Sequence, residues 1–317
     1  MMMSALAGCG KNTKVVLTAG LKKNEVFRIS SASCVLPEVM VYLTNMQNQY
    51  ESVYGSQIWN ASDGQLSLEQ EEREQVLTQL ARIKVMNLLA QKKEVTLDDK
   101  EKERAAAAGR EYFTSLNSAE VTALNVTQDL ITKMYEEYAL AEKVYQTIVE
   151  NVNPEVSDDE ARTITVDMIR VSDSAKASQV LGKAKEEGVD FETLAQAESE
   201  DQTVTQSFGK GEVSEALEKA AFNLGKDEIS DVVESDGSYY ILKCISTFDE
   251  AQTKANKEKI VKQRQSEAFD TEYTAFEQTL VRQLNEELWN SVTMIHQDDV
   301  KTSSFFEVYQ MYFQHQE

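Results

Sequence analysis

The chain has 317 residues, enough for two or three domains that each bury a core. Apolar residues make up 41% and charged residues 27%, a globular balance, and only 2 prolines and 12 glycines favour long helices over a loop-rich fold. With 54 acidic against 32 basic side chains the net charge is −22, which argues against a nucleic-acid partner, because phosphate binding needs clustered Lys and Arg.

The first feature in chain order is "MMMSALAGCGKN". Its Leu6-Ala7-Gly8-Cys9 resembles a bacterial lipobox, in which Cys9 would be lipidated and become the mature first residue. What precedes it lacks the basic and fully apolar regions of a signal peptide, so the written start reads as internal to a longer precursor or as trimmed. A chance run of small residues is the alternative. Residues 1–24 are then lipobox and linker, and no later segment approaches the roughly 20 apolar residues of a membrane span. Cys9, Cys34 and Cys244 have no CxxC spacing and no histidine nearby, so no metal and no cofactor are expected. Cys34 and Cys244 read as buried free thiols, with a disulfide between them left open.

"EVFRISSASCVL", residues 25–36, alternates like a strand or small hairpin, and Pro37 suits the first turn of a helix to about Tyr54. Trp59 and a "NASDG" turn close that unit. Val76, Leu80 and Ile83, with Leu77 and Leu88, predict a helix from Ser67 to about Lys93. Thr96, Asp98 and Asp99 cap another through "KEKERAAAAGREYF". Leu130, Met134, Tyr138, Ala141, Tyr145 and Ile148 predict a further helix over 127–152. Residues 25–156 are thus expected to form a helical part with a small strand element.

"NPEVSDDEA" marks a boundary, and 157–248 reads as strand (162–172), three helices ("SAKASQVLGKAKEE", "DFETLAQAES", "VSEALEKAAF") and two strands around Asp236-Gly237. From 249 the spacing of Phe269, Tyr273, Phe276, Leu280, Leu284 and Leu288 predicts one helix of about 40 residues that packs back on the N-terminal part, making the middle domain an insertion. "SVTMIHQ" is a candidate strand against residues 25–35. Phe305, Phe306, Tyr309, Tyr312 and Phe313 share one helical face, read as the seam docking a C-terminal helix, with a client-binding surface as the alternative.

"VDFETLAQAESED", "FGKGEVSEALEKAAFNLGKDEISDVV" and "DGSYYILK" resemble the parvulin family of peptidyl-prolyl cis/trans isomerases over about residues 160–248. A lipobox, helices before this domain and a long helix after it resemble the PrsA and SurA type of extracytoplasmic foldase. The resemblance implies an α+β chain: a mainly helical chaperone domain, built from the N- and C-terminal segments together, with an inserted parvulin-like α/β domain.

An amide rotation barrier of about 18–20 kcal/mol is lowered by binding the twisted amide better than the planar one. The resemblance implies a site with two histidines, a Cys or Asp, and an apolar wall for the proline ring. Carried over, the histidine positions fall on Met168 and Tyr240, the Cys/Asp position on Asp201, and the wall on Val213, Leu217 and Phe222. Both histidines are absent: the chain has only His296 and His315, and residues 160–248 contain none. Met168 cannot donate a hydrogen bond, and Tyr240 donates from a ring of different reach. The plainer reading makes Asp201 a turn residue, Met168 and Tyr240 core filling, and the wall helix-to-sheet packing.

The expected function is therefore a foldase or chaperone, lipid-anchored through Cys9 to the outer face of the bacterial cell membrane. It would assist unfolded or partly folded secreted polypeptides with a parvulin-like domain of weak or lost isomerase activity. The alternatives are an active isomerase using Asp201 and a structural envelope lipoprotein.

Overall fold

The computed structural model describes residues 20–61 and 66–313, so Cys9, His315 and part of the "NASDG" turn lie outside the described residues. Its packing separates two units, one running to Asn151 and resuming at Phe269, the other spanning Val152–Ala268. The second unit is thus wider at both ends than the 157–248 read from sequence.

In the first unit, β1 (Glu25–Ile29) and β2 (Ala32–Val35) form an antiparallel hairpin. The chain enters α1 (Leu36–Tyr54) directly, with Pro37 in its first turn, where a missing N–H costs nothing. A short 3-10 turn, Ser56–Asn60, buries Trp59. The long helices begin where side-chain caps occur: Ser67 with Gln70 opens α2 (Leu68–Lys92), Asp98 with Glu101 opens α3 (Asp99–Ser115), and Thr127 opens α5 (Gln128–Val149). Between them lies α4 (Ser118–Leu124), which the sequence reading missed; it is capped by Asn117 and stops at Asn125 in the left-handed region. The "AAAA" stretch does more than favour helix. Ala105, Ala108 and Gly109 are buried on α3, and a Cβ on Gly109 would stand 2.9 Å from the Thr132 backbone, so small residues let α3 lie tightly on α5.

Lys84, 1% exposed, sits at the centre of this unit. Its Nζ is 2.6 Å from Glu38 on α1 and 2.6 Å from Glu137 on α5, so one ammonium ties three helices. Glu38 also accepts the Val35 backbone N–H, linking the hairpin to the same charge.

The second unit follows α6 (Asp158–Ala161) with β3 (Thr163–Val171), α7 (Ser174–Ala184), α8 (Phe191–Glu198), β4 (Thr205–Gly209), α9 (Glu215–Phe222), β5 (Val233–Ser235) and β6 (Ser238–Ser246). These strands make an antiparallel sheet of order β4-β3-β6-β5. Strand β4 was not expected: its outer half is exposed and it offers no clear alternation, so tertiary pairing with β3 decides its state. The β5–β6 turn is Asp236-Gly237, with φ of 50° and 75°, as a tight hairpin requires.

The helix of about 40 residues expected from apolar spacing is corrected. Helix α10 (Glu250–Glu277) ends after 28 residues, and the chain turns into β7 (Arg282–Leu284), α11 (Glu286–Asn290) and α12 (Phe305–Phe313). Leu284 continues the helical spacing, but the open edge of β1 offers backbone partners, and Leu284 pairs there with Phe27. The strand placed over 291–297 does not form, because β7 already holds that edge. Val292 and Met294 are buried without regular structure, and Gln47 bonds the Ile295 backbone.

The aromatic stripe of α12 is a seam. Phe305 is 1% exposed and stacks on Tyr135 at 4.5 Å, whose hydroxyl donates to the Phe305 carbonyl. Asn45, Tyr112 and Thr302 form a hydrogen-bonded chain under it. On the other side, Arg82 lies over Phe269 and Tyr273, and Lys93 pairs with Glu272. Cys34 and Cys244 are both buried free thiols.

Two measurements test this account. Lys84→Met, which leaves the buried Glu38 without a cation and Glu137 with only Lys133 at 3.4 Å, is expected to cost about 3–5 kcal/mol in urea unfolding. Glu72 on α2 is 2% exposed, its Oε1 has no hydrogen bond among the described residues, and burial raises its carboxyl from 4.5 to about 7. The folded state therefore keeps a proton that the unfolded chain loses, so the contribution of Glu72 to stability is fully present below pH 4.5 and is lost as pH rises to about 7. The loss should be on the order of 2–3 kcal/mol, and Glu72→Gln should flatten that slope.

Candidate functional site

The site is built on β3, the strand paired on both sides. Its period of two sends Ile169 and Val171 toward α7 and α8, with Val180, Phe191 and Ile241 in the same cluster. The opposite face carries Ile164, Val166 and Met168 under Leu217 and Ala221 of α9. Arg170, two residues beyond Met168, belongs to this second face. Across the ladder Met168 stands beside Leu242 and Arg170 beside Tyr240. The N-terminal end of α9 is fixed over this region, because the Ser214 and Ser235 hydroxyls meet at 2.7 Å and Ser235 pairs with Ser238 at the start of β6.

Asp201 reaches the same face through the segment after α8. Its Oδ1 accepts the Arg170 Nε–H at 2.7 Å. The flanking backbone is held as well: the Glu200 N–H donates to the Arg170 carbonyl, and the Arg170 N–H donates to the Ser199 hydroxyl. Arg170 Nη1 lies 3.5 Å from the Ser238 hydroxyl and 3.8 Å from Glu200, and the Asp201 hydrogen bond holds the guanidinium above its ordinary pKa.

The sequence-predicted residues thus divide. Met168, Tyr240, Val213 and Leu217 all pack on the α9 face of the sheet, Met168 and Leu217 in its buried cluster and Val213 and Tyr240 half-buried against it. Phe222 packs there too, but at the other end of α9. Its carbonyl accepts from Arg162, and its ring lies under the Arg162 guanidinium at 4.9 Å and beside Phe208 at 6.2 Å. From Ile164, level with that end, to Arg170 is six strand residues, about 20 Å. Phe222 is therefore remote from Asp201 and Tyr240. His296 lies in the first unit, where its ring is 3.5 Å from Gln47 Nε2.

Sequence reasoning missed Arg170 and Ser238. The signal was available: in "TVDMIRV", a charged residue at i+2 from the family's histidine position must share its face. Among the described residues no group of three or more His, Cys, Asp and Glu side chains could hold a metal ion.

A four-stranded antiparallel sheet with α9 on one face and α7 and α8 on the other, and with an apolar α9 face where the family resemblance places the proline cup, defines a parvulin-type domain. Residues 142–259 match the family described as PPIC-type PPIASE domain. The foldase protein PrsA of Streptococcus pneumoniae (strain Hungary19A-6) is 31% identical to the chain over 165 residues, covering 46% of this chain and 53% of that protein. The chain spans about half the length of the curated relatives it matches. Among solved structures, a peptidylprolyl isomerase (PrsA) from Bacillus cereus is 19% identical, over 77% of this chain and 91% of its own, with a TM-score of 0.40. A SurA-like chaperone of Campylobacter jejuni is 10% identical over 82% and 98%, with a TM-score of 0.32.

The Arg170 and Asp201 side chains are 28% and 33% exposed, so their ion pair is worth little to stability. Asp201→Asn is expected to change urea unfolding of the second unit by less than about 1 kcal/mol. Leu217→Ala, which removes a 9%-exposed side chain from between helix and sheet, should cost about 2–4 kcal/mol.

Proposed function

We propose that the protein is an extracytoplasmic foldase of the PrsA type. In this reading it is anchored by a lipid on Cys9, assists unfolded or partly folded secreted polypeptides, and carries a parvulin-type domain that binds proline segments with little or no isomerase activity. The observation that carries the reading is the α9 face of the second unit. The scaffold of an isomerase is complete there, yet the two positions that would hold histidines present a thioether 7% exposed and a phenol packed on the core. The thioether donates no hydrogen bond, the phenol donates only from a ring of different reach, and Asp201 is already engaged by Arg170.

Chaperone work requires exposed apolar surface on a soluble body. The first unit exposes Val53 by 71% and Tyr54 by 57% at the end of α1, where the Tyr54 ring lies 6.4 Å from that of Tyr50. The net charge of −22 supports solubility of the rest. Among the described residues no helix is long and apolar enough to cross a membrane, so anchoring in this reading rests on Cys9.

The test has two arms. The full chain, added near equimolar to a denatured secreted protein during refolding, is expected to suppress light scattering. Two-dimensional exchange NMR on Xaa-Pro peptides is expected to show at most marginal acceleration. Strong exchange that disappears in Asp201→Ala would establish a working isomerase instead. Failure to protect any client, together with stable co-purification of one envelope protein, would replace the foldase reading with a structural one.

A further inference from the structure

We infer that Arg170 is the residue that grips a bound Xaa-Pro amide, and that its grip makes the cup a clamp for the planar peptide rather than a catalyst of its rotation. The inference rests on the foldase reading and deepens it by assigning the polar contact of the proline-segment site.

Arg170 stands on the same sheet face as Met168, directly across the ladder from Tyr240, at the end of the face where the α9 N-terminus is fixed. Its guanidinium is oriented from two sides: Nε is bound to Asp201 at 2.7 Å and Nη1 lies against Ser238. Nη2 makes no hydrogen bond among the described residues, and the side chain is 28% exposed. A fixed, permanently charged group with a free N–H edge therefore stands on the same face as an apolar floor whose accessible parts are the half-buried Tyr240 and Val213, with Met168, Leu217 and Leu242 buried.

The chemistry of the amide decides what this group does. In the planar state, resonance withdraws the nitrogen lone pair and leaves the carbonyl oxygen electron-rich. Twisting the bond reverses this: the lone pair returns to nitrogen and the oxygen becomes a poorer acceptor. A guanidinium is a donor only. Placed on the carbonyl before the proline, it holds the planar amide more tightly than the twisted one. Such an interaction raises affinity and leaves the barrier unlowered, the opposite of what catalysis requires. The ligand class is an extended segment with its proline ring on the apolar floor and the preceding carbonyl on Arg170 Nη2.

The experiment is fluorescence anisotropy of the full chain with a labelled, blocked Ala-Ala-Pro-Phe peptide and its Ala-Ala-Ala-Phe counterpart. The parent is expected to prefer the proline peptide, with an affinity constant from pH 5.5 to 8 because a guanidinium does not titrate there. Arg170→Met should weaken binding by about tenfold or more, the scale of a charged hydrogen bond. Arg170→Lys, which keeps the charge without the fork, should fall between the two and serves as the test if the methionine variant melts early. Asp201→Asn, which still offers an oxygen to Nε but removes the charge that orients the guanidinium, should lose less than Arg170→Met.

Parent-like binding by Arg170→Met, or equal losses in Arg170→Met and Asp201→Asn, would overturn the assignment, the latter because the pair would then act only as a strut. Absence of any preference for the proline peptide would overturn it too. None of these results bears on suppression of client aggregation, which judges the foldase reading separately.

Discussion

The buried ammonium of Lys84 sets the architecture of the helical unit. A charge with 1% exposure is tolerable only when paired, and its two carboxylates come from α1 and α5, helices separated in sequence by about a hundred residues. An apolar residue at 84 would pack α2 against its neighbours in several rotations, whereas a lysine that must reach both Glu38 and Glu137 permits one. With α1, α2 and α5 so fixed, Asn45, Tyr112 and Tyr135 stand where they can receive the C-terminal segment, and Phe305 enters between them. The return of the chain after the second unit therefore depends on polar contacts laid down early in the sequence.

The second unit obeys a different constraint, the two-residue period of β3. One face is spent on α7 and α8, and the other is only partly covered by α9, which is 8 residues long. Helix α9 packs Leu217 and Ala221 on the cluster of Ile164 and Val166, while Arg170 and its partners at Ser199–Asp201 make the other end of the face polar.

Much of this was legible in the sequence. Ser67, Asp98 and Thr127 announced helix starts through caps, and Asp236-Gly237 announced a hairpin through its need for positive φ, since these signals are local. Apart from the short α4, whose Asn117 cap was overlooked, the failures in secondary structure were non-local. Leu284 fits a helical stripe as well as a strand, and only the free edge of β1, about 260 residues away, decides between them. Strand β4 is extended because β3 pairs with it, and its own residues say little. At the site, the family's motif directed attention to the positions of missing groups, Met168 and Tyr240, and away from Arg170, which the two-residue period places on Met168's face and the β3–β6 register sets across from Tyr240. Phe222, assigned to the proline wall by its place in the motif, packs at the C-terminal end of α9 between Arg162 and Phe208.

The separation of scaffold from chemistry has a physical basis. The cluster under α9 is held by Ile164, Val166, Leu217, Ala221 and Leu242, none of which would exchange protons in an isomerase. Met168 adds to that cluster where an imidazole would have required a buried partner. Replacing a polar group on the cup face by an apolar one thus leaves folding undisturbed or improved, so the fold places no pressure on the site to retain its reactive residues. Asp201 accepts the Arg170 Nε–H at 2.7 Å, and with the two side chains 28% and 33% exposed this pair orients the guanidinium and adds little to stability. The aspartate at the family's Cys/Asp position is thus engaged by a neighbour that the motif does not name.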